Sequence, residues 1–180
     1  MTTYIALLRG VNVGGKKKVA MGDLHEMLAG LGYLEPRTLL QSGNLVFKAE
    51  SGDGAKVEAA LETAARERLG FVTDFLVRNG REWKRLVEAN PFPSEARSDP
   101  AHLVVVFLRK APSADEVRTL EGSVSGPEVM RAEGKQLYAV YSAGIGTSRL
   151  TLPVIEKALG TRGTGRNWNT VTKLADLAGA

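Results

Sequence analysis

The chain contains no cysteine, which excludes disulfides and thiolate metal sites. Histidine is almost as scarce: His25 and His102 are the only two. Neither has a carboxylate or a second histidine at metal-ligand spacing, so no metal site is expected, and no cofactor signature is present. A Gly-x-Ser-x-Gly nucleophile elbow is also missing. No run approaches 18 apolar residues, so no membrane span is expected. The N-terminal Met-Thr-Thr-Tyr-Ile has neither a charged n-region nor a long apolar h-region. A cytoplasmic protein is the expectation.

What is present is ordinary globular composition. Of 180 residues, 43% are hydrophobic and 24% charged, enough for one domain or two small ones. The net charge of +4 is modest. Its placement matters more, because the uncompensated positives gather in two stretches, residues 9–18 and 162–173. Elsewhere the signs alternate, as on solvated helix faces. Glu58 and Glu62 are read as one such face.

Taken in order, Tyr4 to Leu8 reads as a buried strand and Met21 to Leu31 as a helix, with Gly32 beyond its end. Pro36 to Gln41 and Asn44 to Lys48 read as a hairpin joined by Ser42-Gly43. A helix carrying Val57, Leu61 and Leu69 on one face follows, ended by Gly70. Phe71 to Val77 reads as a fourth strand. This β-α-β-β-α-β order is the ferredoxin-like split βαβ pattern. Asn79 and Glu82 form a capping-box pattern that opens a short helix. Residues 91–101 read as a linker from their proline, serine and charge content.

The pattern then restarts. Leu103 to Leu108 reads as a strand and Ser113 opens a capped helix. Residues 128–132 and 136–141 read as a hairpin, and Leu150 to Leu159 as a helix. The stretch 163–170 leads into a closing helix over Val171 to Ala178. The expected architecture is α+β, with two ferredoxin-like halves of antiparallel sheet and a short C-terminal helix. The boundaries are 1–90, a linker over 91–101, and 102–180. Equal element order suggests an internal duplication.

Three polar, glycine-bearing segments stand out. The first follows the opening strand and carries Arg9, Gly10, Asn12, Gly14, Gly15, Lys16 and Lys18, with no acid from Arg9 to Lys18. Glycines let backbone N–H groups converge and lysines add charge, so this is a candidate anion nest. Gly10 to Lys16 fits seven positions of the phosphate-binding P-loop, but Lys17 replaces the hydroxyl that would serve Mg²⁺. No later strand ends in a suitable aspartate, and the element order gives no parallel sheet. A nucleoside triphosphatase is therefore rejected. The second segment is Gln41, Ser42, Gly43 and Asn44 at a hairpin tip, explicable as turn chemistry or as hydrogen bonding to a ligand. The third is Arg166, Asn167, Trp168 and Asn169. Trp168 either stacks on a base or sugar beside these cations, or packs into the core while Asn169 or Thr170 caps the last helix.

Leu8 to Lys16, Gln41 to Phe47 and Arg166 to Val171, in this order and spacing, resemble the domain of unknown function 1697 family. The family pattern often has proline at Ala20 and alanine at Gly165. The resemblance implies a bacterial α+β protein of two ferredoxin-like halves and implies no activity. Its motifs fall on the three segments just described, which are expected to meet in one cleft.

Three functions remain open. One is a binding module for a phosphate-bearing ligand, with nucleic acid the leading candidate. Against an RNA-recognition sheet, the expected strand aromatics are missing and Phe47 stands alone in the first hairpin. Another is an enzyme acting on a small phosphorylated or carboxylated metabolite, for which no general base can be named. The last is a protein-interaction module with no ligand. The oligomeric state is not legible.

Overall fold

Alternation along Thr2–Leu8 (β1) divides its side chains between two faces. Tyr4, Ala6 and Leu8 pack with Leu24, Met27 and Leu28 of the helix Met21–Gly30 (α1) and with Val57 and Leu61 of Gly54–Ala64 (α2). In this computed structural model, which describes residues 1–10, 19–39 and 43–180, that contact is the core of the first sheet. The strands Leu34–Leu39 (β2), Asn44–Ala49 (β3) and Phe75–Asn79 (β4) complete it, in the order β2-β3-β1-β4 with every pairing antiparallel. A five-residue π-helical turn, Ala65–Leu69, extends α2, and Gly70 ends it in the left-handed conformation at φ 69°.

The helices Gly80–Glu88 (α3) and Pro93–Ser98 (α4) follow. The segment expected as linker thus contains one short helix. The second sheet is built from Leu103–Leu108 (β5), Val129–Glu133 (β6), Gln136–Val140 (β7) and Gly163–Asn167 (β8). Its order is β6-β7-β5-β8, again wholly antiparallel. Ala114–Ser123 (α5) and Leu152–Leu159 (α6) cover it, with Leu120, Ile155 and Leu159 packed on Val106, Leu108 and Leu137. Trp168–Ala178 (α7) closes the chain. Both sheets have the ferredoxin-like order, and the fold is α+β with a two-half repeat. The chain divides into two units, Met1–Arg85 with Lys173–Ala180, and Leu86–Thr172. Among the described residues no helix is long and apolar enough to cross a membrane.

In both sheets the face turned away from these helices is buried as well. Ile5, Leu7 and Leu76 are buried in the first unit, and Val105, Phe107 and Tyr138 in the second. The strand nearest each centre is therefore apolar on both faces, which is why β1 and β5 read as unbroken hydrophobic runs.

Four details differ from the sequence reading. First, β4 begins at Phe75 rather than Phe71, and Val72 is 70% exposed. Residues 73 and 74 instead tie down the end of β1: the Thr73 hydroxyl donates to the Arg9 carbonyl (2.7 Å), and the Arg9 N–H donates to the Asp74 carbonyl (3.0 Å). Second, Gly163–Asn167 is a strand. Its glycines are poor strand formers, but a Cβ at Gly163 would lie 2.8 Å from the Phe107 carbonyl oxygen, so close pairing with β5 demands glycine. Third, α7 starts at Trp168, and its cap is Asn167 rather than Asn169 or Thr170, the Thr170 N–H donating to Asn167 Oδ1 at 3.0 Å.

The fourth correction concerns Glu58 and Glu62, which do not form a solvent face. The Arg9–Asp74 bond sets the ladder phase, so the N–H groups of Phe75, Val77 and Asn79 point away from β1 at the sheet edge. Glu62 Oε1 accepts from Phe75 N (3.2 Å) and Glu58 Oε1 from Val77 N (2.9 Å). Glu82 Oε2 accepts from Asn79 N (2.8 Å). Three carboxylates therefore occupy the outward donors of an edge strand that would otherwise present open hydrogen-bonding groups.

Candidate functional site

The described residues of the first two candidate segments, Arg9, Gly10, Gly43 and Asn44, lie at one end of the first sheet. Leu8 ends β1, and its N–H donates to the Gly43 carbonyl at 2.9 Å. Gly43 has φ +73°, and a Cβ there would lie 2.8 Å from Leu8 Cβ. Only glycine allows the hairpin tip to approach β1 this closely. The adjoining Gly10 is also left-handed, at φ +67°, and among the described residues nothing lies within 4 Å of where its side chain would stand. Arg9, part-buried, lies between these two positions, held on its backbone by Thr73 and Asp74. Asn44 is fully buried and its Nδ2 donates to the Leu39 carbonyl at 2.9 Å. That bond closes the hairpin, so Asn44 serves the turn. Asn12, Gly14, Gly15, Lys16, Lys18, Gln41 and Ser42 lie outside the described residues.

α1 begins soon after this segment. Its N-cap, Ala20, makes no side-chain cap bond. The first-turn N–H groups, at the positive end of the helix dipole, therefore receive no capping oxygen from the Ala20 side chain. Asp23 is the one acid in that turn.

The third segment belongs to the second unit. Arg166 lies on β8, opposite Val105. Its Nη1 donates to Thr164 Oγ1 (2.7 Å) and to the Gly165 carbonyl (2.8 Å). Burial lowers its pKa to about 10. Asn167 caps α7. Trp168 is 7% exposed, and its backbone N–H donates to the Pro100 carbonyl at 3.2 Å. Its indole is therefore packed rather than presented as a stacking platform. Asn169 is exposed.

Sequence reasoning missed Arg78. It sits on β4 opposite Ile5, as Arg166 sits on β8 opposite Val105. Arg78 is 4% exposed, and its Nη1 donates to the carbonyl of the residue before it, Val77, as Arg166 does to Gly165. Burial lowers its pKa, opposed by the charges of Glu58 and Glu82. The available signal was the dipeptide Arg-Asn at 78–79 and again at 166–167, each time before a helix. Among the described residues no group of three His, Asp or Glu side chains converges as metal ligands would.

Comparison with known proteins agrees with the architecture. The conserved bacterial protein SP0830 from Streptococcus pneumoniae has a similar solved structure, with a TM-score of 0.77 over 98% of each chain at 24% sequence identity. At that identity the likeness speaks for the fold alone. No curated protein matches the sequence. The family described as Protein of unknown function (DUF1697) matches residues 1–138, which include the Arg9–Lys18 stretch and the hairpin tip but not β8. With more than half of its length matched, this chain belongs to the DUF1697 family.

Proposed function

We propose that the stretch between β1 and α1 binds an anionic, phosphate-bearing ligand. The observation that carries this reading is the start of α1, where Ala20 provides no capping side chain directly after a glycine- and lysine-rich run. A helix N-terminus with unsatisfied N–H groups favours anions, and adjacent cations strengthen that preference. The left-handed Gly10 and the close-packed Gly43 bring the hairpin tip beside the same sheet end. Nucleic acid and small phosphorylated metabolites share this chemistry. A nucleic acid would be held through its phosphates, because the sheet faces turned away from α1, α2, α5 and α6, whose counterparts stack RNA bases in RNA-recognition folds, are buried here.

A thermal-shift panel at low and high salt tests the reading, with phosphate, pyrophosphate, nucleotides, single-stranded RNA and duplex DNA. A ligand at about a hundred times its Kd adds about 2.7 kcal/mol to stability. Stabilisation by RNA or DNA that disappears at high salt assigns nucleic acid, because phosphate contacts release counterions. Stabilisation by one small anion that survives salt assigns a metabolite site and directs a search for turnover. Arg9→Ala and Lys16→Ala each abolish the shift if the site is correct. No shift with any ligand, or unchanged shifts in both variants, removes the anion-binding reading.

A further inference from the structure

The two units differ at their outer sheet edges. In the second unit the Arg109 N–H donates to the Arg162 carbonyl at 2.9 Å, as Arg9 does to Asp74. This sets the same ladder phase, so the N–H groups of Gly165 and Asn167 point outward from β8, in the positions held by Val77 and Asn79 on β4. In the first unit these two donors meet the carboxylates of Glu58 and Glu82. In the second, Glu82 is replaced by Thr170, three residues after Asn167, and α6 offers Leu152 and Ile155. Among the described residues no acceptor meets the N–H of Gly165 or of Asn167.

At this edge lies a cavity of about 440 Å³. Its walls are mostly apolar, from Val104, Val106, Leu152 and Ile155, with Tyr141 and Thr151 also at the lining, and both Gly165 and Asn167 line it. With Asn167 Oδ1 engaged by Thr170, the Asn167 Nδ2 is left to donate. An apolar chamber with a few convergent polar groups is the general form of a small-molecule site. We infer that this cavity binds an apolar monocarboxylate, its carboxylate taking the place on Gly165 and Asn167 that the carboxylates of Glu58 and Glu82 take in the first unit, and its alkyl chain lying on Val104, Val106 and Ile155. The inference is independent of the anion site before α1, because it concerns other residues in the other unit.

The probe is octanoate, followed by amide NMR of the full chain, with 1-octanol and octylamine as matched tails. The Gly165 and Asn167 amide protons shift downfield with octanoate and not with the other two. Leu152→Glu supplies an internal carboxylate at the cavity and weakens octanoate binding about tenfold or more, the scale of a charge-assisted hydrogen bond. Val154→Glu, on the same helix but outside the cavity lining, leaves it unchanged. The shifts in the unsubstituted chain stand whether or not Leu152→Glu folds. Equal effects from octanol overturn the carboxylate assignment. Perturbation confined to residues outside the cavity, or none at millimolar octanoate, overturns the site.

Discussion

Glu58, on α2, places Oε1 2.9 Å from the backbone nitrogen of Val77, on β4. The carboxylate is only 7% exposed, and with Glu62 it shields an edge strand from pairing with another chain. Buried carboxylates are costly unless hydrogen-bonded, so the two groups depend on each other.

Glu58→Ala leaves the Val77 N–H without its acceptor and removes a charge that favours the Arg78 guanidinium. The expected loss is about 2 kcal/mol, read as a lower urea midpoint. Glu58→Gln keeps an oxygen acceptor and loses less. Glu121→Ala, at an exposed position on α5, changes stability by less than about 0.5 kcal/mol. Equal midpoints for the Glu58→Ala and Glu121→Ala chains contradict the edge-capping role.

Gly10 and Gly43 separate two reasons for glycine. Both have positive φ, but among the described residues only Gly43 has a neighbour where Cβ would stand, Leu8 Cβ at 2.8 Å. Gly10→Ala costs about 1 kcal/mol from left-handed strain alone. Gly43→Ala adds displacement of the hairpin tip and costs about 3 kcal/mol. Thermal unfolding of the two variants tests the ordering. If Gly10→Ala is the more damaging, close approach to Leu8 is not what fixes Gly43.

Asn167→Ala removes the cap of α7 and lowers stability by about 1 kcal/mol. Asn167→Asp retains an oxygen acceptor and adds a negative charge at the helix N-terminus, so it keeps or slightly raises stability. Denaturant titration of both variants is the check. Equal loss in the two chains would show that Asn167 does something other than capping.

Tyr141 makes alkaline pH informative. Its hydroxyl donates to the Leu150 carbonyl at 2.8 Å, and burial, then the charge of Glu128, push its pKa up from 10.0 to about 12. The folded state thus holds this proton more tightly than the unfolded chain does. The resulting stabilisation is complete below about pH 10 and is lost as pH rises towards 12. Tyr141→Phe removes that part of the pH dependence. Urea midpoints measured from pH 9 upwards should fall less steeply in the Tyr141→Phe chain, and parallel profiles would refute the assignment.

Much of the architecture was legible because its signals are local. Ser113 and Glu116 form a capping box within four residues, as do Asn79 and Glu82. Gly160, at φ 58°, ends α6 next to its last core leucine. Apolar runs and these punctuation marks suffice for the order of strands and helices. Of the candidate residues, Gly43 and Arg9 were legible as lying at the end of β1, because the ends of the strand and of the hairpin set their places. Arg166 and Asn167 were legible as unusual, but their structural work was not. Arg166 turns back onto its own strand, and Asn167 caps a helix that starts three residues earlier than periodicity suggests.

The sequence alone thus determined most of the segments that become strands and helices, because propensity, capping and periodicity act over a few residues. Tertiary structure alone decided that a glycine-rich stretch is β8, since the Phe107 carbonyl, distant in sequence, excludes any side chain at Gly163. It also decided that Glu58 and Glu62 face a sheet edge rather than water. Both outcomes depend on which distant backbone groups need a partner, and that need exists only once the strands have paired.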